Sequence, residues 1–229
     1  MDYKRILVFG AHPDDELTMS GTMAKLAAEG VHVAVATMTN GSEGYPRPEM
    51  RDEIVAMRAK EMDGADKAIG IARRYRIGSD DMGLTADKAT VKACIRVVRE
   101  VRPHAVFTHG PHDRHRDHLA THTIAVQATW HAGEPVAAEL GESWRTPHIY
   151  YYKSCKLDLP SVVIDTTAWQ HKRPEALATQ VSQHTLFHRT QEEFLADAAR
   201  LKADPPPASE RFWIVPTNEF RDFLPLAKD

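Results

Sequence analysis

The chain has little cysteine and no excess of charge of one sign, and both shortages exclude classes of protein. Its 229 residues include two cysteines, Cys94 and Cys155, which lie far apart and outside any Cys-x-x-Cys motif. Neither a disulfide framework nor a thiolate metal site is therefore expected. The 29 basic and 32 acidic residues give a net charge of −3, which disfavours binding to nucleic acid, because that requires a concentrated positive field.

Long hydrophobic runs are also absent. No apolar stretch reaches the roughly 18 residues that are needed to span a bilayer, and the early run from Ile6 to Gly10 is too short for the core of a signal peptide. We therefore expect a cytoplasmic protein with no membrane partner. Hydrophobic residues make up 42% of the chain and charged residues 27%, which is typical of a globular protein that folds on its own.

Strand-like and helix-like segments alternate over the first 143 residues. Short β-branched or aromatic runs are each followed by a segment in which apolar residues recur at helical spacing. The predicted strands are 4–10, 31–38, 74–77 and 105–108, and the helices after them are 17–29, 51–69, 87–101 and one that begins near Asp117. This alternation predicts a Rossmann-like α/β fold with a mainly parallel sheet and helices on both faces.

The pattern changes after about Trp144. Two strands, two helices and a final strand are predicted there, at 148–153, 161–166, 172–183, 190–202 and 211–215. No convincing linker separates these segments from the first part of the chain. We therefore predict a single domain over residues 1–229, with 1–143 as the Rossmann-like core that carries the metal site and 144–229 as a C-terminal α/β extension of the sheet and a cap.

A histidine and three acidic residues directly follow the first predicted strand. The motif is Ala11-His12-Pro13-Asp14-Asp15-Glu16. Ligands bind outside the carboxyl ends of strands in open α/β sheets, and Pro13 favours a turn that lets His12 and Asp15 converge as zinc ligands. Two adjacent acids, Asp14 and Asp15, exceed what helix capping requires, whereas Glu16 is expected to charge the first turn of the helix.

A cluster of histidines follows the fourth predicted strand. Five of them lie within fourteen residues, with two aspartates among them: His109, His112, Asp113, His115, Asp117, His118 and His122. If the helix begins near Asp117, His118 and His122 lie at i and i+4, the spacing of a helical metal pair. Spacing alone does not choose between His115, His118 and His122. The first and fourth strands are neighbours in the usual doubly wound order, so both motifs are expected at one cleft.

Two imidazoles and one carboxylate would leave one position of a tetrahedral metal to water. This arrangement is typical of catalytic zinc, whereas structural zinc is closed by four protein ligands. The sequence also has no Gly-x-Ser-x-Gly elbow and no Gly-x-Gly-x-x-Gly loop, which argues against a serine hydrolase of that kind and against a dinucleotide site. A metal-dependent enzyme is therefore favoured.

With these motifs in this order, the chain resembles the LmbE-like, or PIG-L-like, family of zinc-dependent N-acetylglucosaminyl deacetylases. The segments that carry the resemblance are Ala11 to Glu16, Thr39 to Gly44, the helix from Arg58 to Gly70, and His115-Arg116-Asp117-His118. They span roughly the first half of the chain, and the two motifs together are more specific than either alone. Arg116 departs from the family pattern, in which proline is frequent at this place.

The resemblance implies a zinc-dependent hydrolase that deacetylates an N-acetylated amino sugar or its conjugate. The zinc ligands that it implies are His12, Asp15 and His118, and another divalent metal is an alternative. It also implies that Asp14 is the general base and that a protonated His115 stabilises the oxyanion. This agrees with the chemistry of zinc sites, in which the metal activates water and an unligated carboxylate removes its proton.

The resemblance also suggests roles for residues around the centre. Arg58 and Asp81 are expected to contact the sugar, the alternative being ordinary surface charge on a helix and in a loop. The chemistry of metal sites, apart from the resemblance, suggests that Asp117 orients an imidazole from outside the ligand set. With His118 chosen as the ligand, the expected positions of His122 and His109 are a helix face and a loop, respectively.

Two other functions stay open. One is an amidase of the same fold that acts on a larger thiol-sugar conjugate and releases no acetate. The other is a non-catalytic zinc- or sugar-binding module, although Asp14 argues against it, since binding alone needs no base. A two-metal phosphoesterase is disfavoured, because the sequence shows no second full ligand set. The expected partner is a small amino-sugar substrate, and the formation of a homo-oligomer is left open.

Overall fold

The computed structural model describes residues 3–152 and 157–215. Within them, the strands are β1 Arg5–Gly10, β2 His32–Thr39, β3 Arg73–Ser79, β4 Ala105–His109, β5 His148–Tyr152, β6 Ser161–Asp165 and β7 Ser209–Ile214. The helices are α1 Ser20–Ala28, α2 Ile54–Ile69, α3 Lys88–Val101, α4 Arg116–Ala132, α5 Lys172–Ala178, α6 His184–Phe187 and α7 Gln191–Ala203. The predicted alternation of strands and helices is confirmed. Lys153, at the end of one predicted strand, and Cys155 lie outside the described residues.

The strands form one sheet in the order β3-β2-β1-β4-β5-β7-β6. The first five strands run parallel, and β7 and β6 add antiparallel pairs at one edge. The order reverses between β1 and β4, so the loops after these two strands lie side by side at the carboxyl edge. The sheet continues across residue 144, which supports our proposal of one domain with an extension of the sheet.

Helices cover both faces of the sheet. Successive side chains of a strand point to opposite faces, and in β1 this places Leu7 and Phe9 in a cluster with α3 and α4, while Ile6 and Val8 pack with α1, α2 and α5. All four side chains are 0% exposed. The predicted mainly parallel, Rossmann-like α/β fold is therefore confirmed. No helix within residues 3–152 and 157–215 is long and apolar enough to cross a membrane.

The helix predicted over residues 172–183 is wrong in its length. α5 ends at Ala178, and a separate 3-10 turn covers Val181–Gln183. The reason is Gln180, which is 0% exposed and donates through Nε2 to the carbonyl oxygen of Glu61 at 3.1 Å. Gln180 has a non-helical ψ of 57°, so the helix is interrupted where it contacts α2, although regular helical periodicity continues in the sequence.

Arg99 on α3 fixes the turn that follows α4. The residue is only 4% exposed, and its guanidinium donates to six carbonyl oxygens at 2.8–3.3 Å, those of His131, Ala132, Glu134, Val136, Ala137 and Gly141. Carbonyls at the end of a helix lack intrahelical donors. Arg99 therefore serves as a C-terminal cap that is supplied by the neighbouring helix.

Arg99→Met is expected to lower the free energy of unfolding by about 3 kcal/mol, because six carbonyls at the end of α4 and in the turn after it lose a charged donor together. Urea denaturation monitored by circular dichroism measures the change. Arg96, an exposed residue on the same helix, provides the matched control, since Arg96→Met should change the free energy of unfolding by no more than about 0.5 kcal/mol. Equal effects of the two exchanges would refute the capping role.

Candidate metal centre and active site

The turn after β1 brings the first motif together. The backbone N–H of Asp14 donates to the carbonyl of His12 at 2.8 Å, and the backbone N–H of His12 donates to Oδ2 of Asp15 at 2.8 Å. A short 3-10 helix, Asp15–Met19, then leads into α1. This compact turn places Nδ1 of His12 3.2 Å from Oδ2 of Asp15, so the structure brings the predicted pair together.

The start of α4 supplies the second motif. His115 is the N-cap residue, and its Nδ1 accepts a hydrogen bond from the backbone N–H of Asp117 at 3.2 Å. In the first turn of the helix, His118 places Nε2 3.3 Å from Oδ2 of Asp15. His122 lies one turn further on and contacts the carbonyl oxygen of His109 through Nδ1 at 3.1 Å. The two motifs therefore meet at Asp15.

Two overlapping groups of side chains have donor atoms within 4.8 Å of one another, His12 with His115 and His118, and Asp15 with His109 and His118. Bonds of about 2.0–2.2 Å to a tetrahedral zinc place neighbouring ligand atoms about 3.4 Å apart. The distances from Oδ2 of Asp15 to Nδ1 of His12 and to Nε2 of His118, 3.2 and 3.3 Å, are close to this value. The cluster thus has donor types and spacings that suit a divalent metal.

Carboxylates on the outer side of the two imidazoles support the same conclusion. Oδ2 of Asp113 lies 2.8 Å from Nδ1 of His118, and Oδ2 of Asp117 lies 3.2 Å from Nε2 of His12. A carboxylate accepts, so each neutral ring carries its proton on the outer side and presents a lone pair towards Asp15. Facing acceptors repel each other unless a proton or a metal ion lies between them, and carboxylate–histidine pairs of this kind commonly surround metal ions. The residues present therefore fit a divalent metal.

The charges of the centre favour a cation. Burial by itself would lower the pKa of His12, but the hydrogen bond to Asp15 and the charges of Asp15 and Asp81 raise that pKa to about 9. Burial would likewise raise the pKa of Asp15, but the surrounding imidazoles hold the pKa of that carboxyl well below its usual range. The carboxylates thus stabilise positive charge at the place where the two motifs meet.

Asp14 points to α2 and lies outside both donor groups. Its Oδ2 accepts from Nη2 of Arg58 at 2.9 Å, and Nη1 of Arg58 donates to Glu61 at 3.0 Å and to Gln180 at 3.1 Å. Arg58 is 2% exposed, so its interpretation as surface charge is wrong. Glu61 in turn accepts from the backbone N–H and hydroxyl of Ser182 at 2.6 and 2.8 Å. A buried polar network therefore connects the C-terminal segment with Asp14.

Asp81 shapes the loop that follows β2. Its two oxygens accept from the backbone N–H groups of Gly41 at 3.0 Å and Glu43 at 3.1 Å. Gly41 has a φ of +79°, and a Cβ atom there would lie 2.8 Å from Cγ of Arg58, so this close approach requires glycine. Asp81 is thus a wall of the cleft, and its contact with a sugar stays a prediction.

A cleft of about 280 Å³ opens beside the donor groups. Five of the predicted site residues line it, namely His12, Asp14, Arg58, Asp81 and His115. Asp15 and His118, 4% and 7% exposed, lie beneath them. Glu43 and Gln183 also line the cleft, and no role in the site was predicted for Gln183. The volume is near the lower end of ligand sites, about 300 Å³, which suits a single sugar ring.

His115 presents one hydrogen-bond donor to this cleft. Burial lowers the pKa of His115, and the neighbouring His12 and His118 lower it further. A neutral ring is therefore favoured at neutral pH, in contrast to the expected protonated form. Because Nδ1 accepts from the backbone of Asp117, the proton of the neutral ring lies on Nε2.

Two residues near the centre are fully buried. Glu16 lies in the first turn of the 3-10 helix, as predicted, but it is 0% exposed, and its Oε1 accepts from Nη2 of Arg74 on β3 at 2.7 Å. His109 was expected in a loop, but it is the last residue of β4 and is 0% exposed. Its Nε2 lies 3.5 Å from Oδ2 of Asp15, directly behind the centre.

The fold and the site define an α/β protein with a candidate metal centre at the reversal point of its sheet. The family model for PIG-L, GlcNAc-PI de-N-acetylase, matches residues 7–129, which include both motifs. The chain belongs to this family, and its membership places it among the deacetylases, which are hydrolases of amide bonds.

Known proteins are similar over nearly the whole chain. A 1D-myo-inositol 2-acetamido-2-deoxy-alpha-D-glucopyranoside deacetylase from Segniliparus rotundus is 30% identical, over 94% of this chain and 87% of its own length. The structure of an N,N'-diacetylchitobiose deacetylase from Pyrococcus horikoshii has a TM-score of 0.79 at 24% identity, covering 97% of this chain and 90% of its own. A 4-carboxy-2-hydroxymuconate hydratase from Pseudomonas putida reaches 0.75 at 20% identity, over 99% and 98%. At these identities the two structures show the fold alone.

Proposed function

We propose that this chain is a zinc-dependent deacetylase of an N-acetylated amino sugar or its conjugate. The observation that carries the proposal is the position of Asp14. This carboxylate lies outside the donor groups, yet it lines the same cleft as His12 and His115. A general base needs this arrangement, whereas a binding module does not.

Zinc would be held by Nδ1 of His12, Oδ2 of Asp15 and Nε2 of His118, with another divalent metal as the alternative. When bound, zinc would supply a Lewis acid that polarises the acyl carbonyl and acidifies the attacking water. Asp113 and Asp117 would keep the two imidazoles in the tautomers that binding requires, through their contacts at 2.8 and 3.2 Å.

The protein's own groups would then move the proton and stabilise charge. Asp14 accepts a proton from the attacking water, and Arg58 holds its carboxylate in place. The N–H at Nε2 of His115 donates to the acyl oxygen as negative charge develops on it. Asp14 returns its proton to the leaving nitrogen, and the C–N bond breaks to give acetate and the free amine.

The substrate side of the cleft supports a sugar. We still propose that Arg58 and Asp81 contact the sugar. Arg58 would make this contact in addition to its hydrogen bond with Asp14. The Segniliparus rotundus relative is named for a conjugate of inositol with 2-acetamido-2-deoxyglucose, and we propose this class of neutral conjugate as the first to test. We further propose that the enzyme is cytoplasmic. Whether it forms a homo-oligomer stays open.

Acetate release tests the proposal. Zinc-loaded and chelator-treated protein would be incubated with N-acetylglucosamine, diacetylchitobiose, and N-acetylglucosaminyl conjugates of inositol and of malate. We expect zinc-dependent acetate release from at least one of them, because the cleft accepts one sugar ring and leaves the aglycone to vary. Acetate would be assayed enzymatically, with Asp14→Asn protein prepared in parallel to exclude a contaminating hydrolase.

Three outcomes would count against this function. Equal release by chelator-treated protein would refute the metal dependence. Cleavage of a thiol-sugar conjugate without any acetate would favour the larger-substrate amidase. One bound zinc per chain together with no cleavage of any compound would favour the non-catalytic module.

A further inference from the structure

A buried polar pair lies directly behind the metal centre. His109, the last residue of β4, pairs in parallel register with Tyr152, the last residue of β5. The two residues are 0% and 1% exposed. A buried imidazole and a buried phenol are costly unless they are hydrogen-bonded, so their partners show what the pair holds in place.

The pair binds the backbone at the end of β1. The hydroxyl of Tyr152 donates to the carbonyl of Phe9 at 2.8 Å, and Nε2 of His109 accepts from the backbone N–H of Ala11 at 3.2 Å. The two side chains also meet, with 3.2 Å between the phenol oxygen and Nε2. The pair thus holds Phe9 and Ala11, the two residues on either side of Gly10 at the end of β1, immediately before His12.

His109 also contacts the second motif. Its ring stacks on that of His118 with centroids 4.3 Å apart and planes inclined by 21°, while Nε2 lies 3.5 Å from Oδ2 of Asp15. The donor spacing alone would allow His109 as a metal ligand. However, the in-plane lone pairs of stacked rings do not converge well on one ion, and Nε2 already accepts from Ala11.

We propose that His109 and Tyr152 form a brace that sets the spacing between the metal ligands of the two motifs. Both are positioning residues, because His109 acts through Ala11, Asp15 and His118, and Tyr152 acts through Phe9 and His109. The inference rests on the proposed zinc site. Groups that orient metal ligands from outside typically change metal affinity by about 10–100-fold when they are removed, since the ligands tolerate only small displacements.

The exchange Tyr152→Phe tests the brace with little risk to folding. It removes one hydroxyl, and we expect the dissociation constant for zinc to rise about tenfold or more, measured by competition with a chromophoric chelator. Tyr150→Phe is the matched control. Tyr150 lies two residues earlier, in the middle of β5, is 5% exposed and bonds to the hydroxyl of Tyr3 at 2.8 Å. Its exchange therefore also removes one hydrogen bond, but away from the end of β1 and the metal centre.

A second readout separates positioning from general destabilisation. In cobalt-substituted protein, the visible absorption bands should shift in Tyr152→Phe and stay unchanged in Tyr150→Phe. This difference is expected even if the melting temperatures of the two variants fall by a similar amount. Unchanged zinc affinity and cobalt spectrum in Tyr152→Phe would overturn the brace while the proposed function stood. If the native chain bound no zinc at all, the proposed function would fail and the brace with it.

Discussion

Asp14→Asn is expected to lower kcat by about 10²–10⁴-fold while the protein keeps its zinc. Asparagine has nearly the same size and retains a carbonyl oxygen, so Arg58, now 2.9 Å from Oδ2 of Asp14, still finds an acceptor. What is lost is the ability to take a proton from water at neutral pH. Steady-state kinetics and zinc analysis by emission spectroscopy, on the same preparation, measure both parts of the expectation.

The matched control for this exchange is Asp80→Asn. Asp80 is exposed and accepts from Nδ2 of Asn40 at 2.8 Å, but it does not line the cleft. Its exchange should change kcat by no more than about twofold, as expected for a surface site. Full activity in the Asp14 variant would exclude this residue as the base. Loss of zinc in that variant would make Asp14 a ligand instead.

Both strand-end motifs could be found from the sequence because their position depends only on local signals. The apolar run of β1 ends at Gly10 and that of β4 near Thr108, and a parallel sheet places the residues after such runs at one edge. The pairing of β1 with β4 in the observed order then brings His12 and His118 together. Periodicity therefore predicted the fold, and the motifs predicted where the site lies.

The buried residues that hold Asp14 and the proposed metal ligands in place could not be predicted in the same way. Arg58 and Ser182 are both joined to Glu61, although 124 residues separate them in the sequence. Nothing local shows which charged residues of an amphipathic helix such as α2 face inward. His109 was misplaced for a related reason, since a polar residue after an apolar run resembles a loop until its cross-strand partner, Tyr152, is known.

His118→Ala is expected to reduce bound zinc from about one per chain to almost none. The ring supplies one of three proposed protein ligands, and its Nε2 lies 3.3 Å from Oδ2 of Asp15. If the 10–16 kcal/mol typical of four-ligand sites is shared evenly, one ligand contributes about 3 kcal/mol. We therefore expect zinc affinity to fall by at least about 10²-fold, and activity to fall with it.

His122→Ala is the exchange that makes this test decisive. His122 lies on the same helix one turn further on, the alternative that i, i+4 spacing left open, and its Nδ1 contacts the carbonyl of His109 at 3.1 Å. Because His122 is outside both donor groups, its exchange should keep zinc near one per chain. Loss of zinc in His122→Ala, with zinc retained in His118→Ala, would show that His122 and not His118 is the ligand on α4. Equal retention in both variants would place the metal elsewhere.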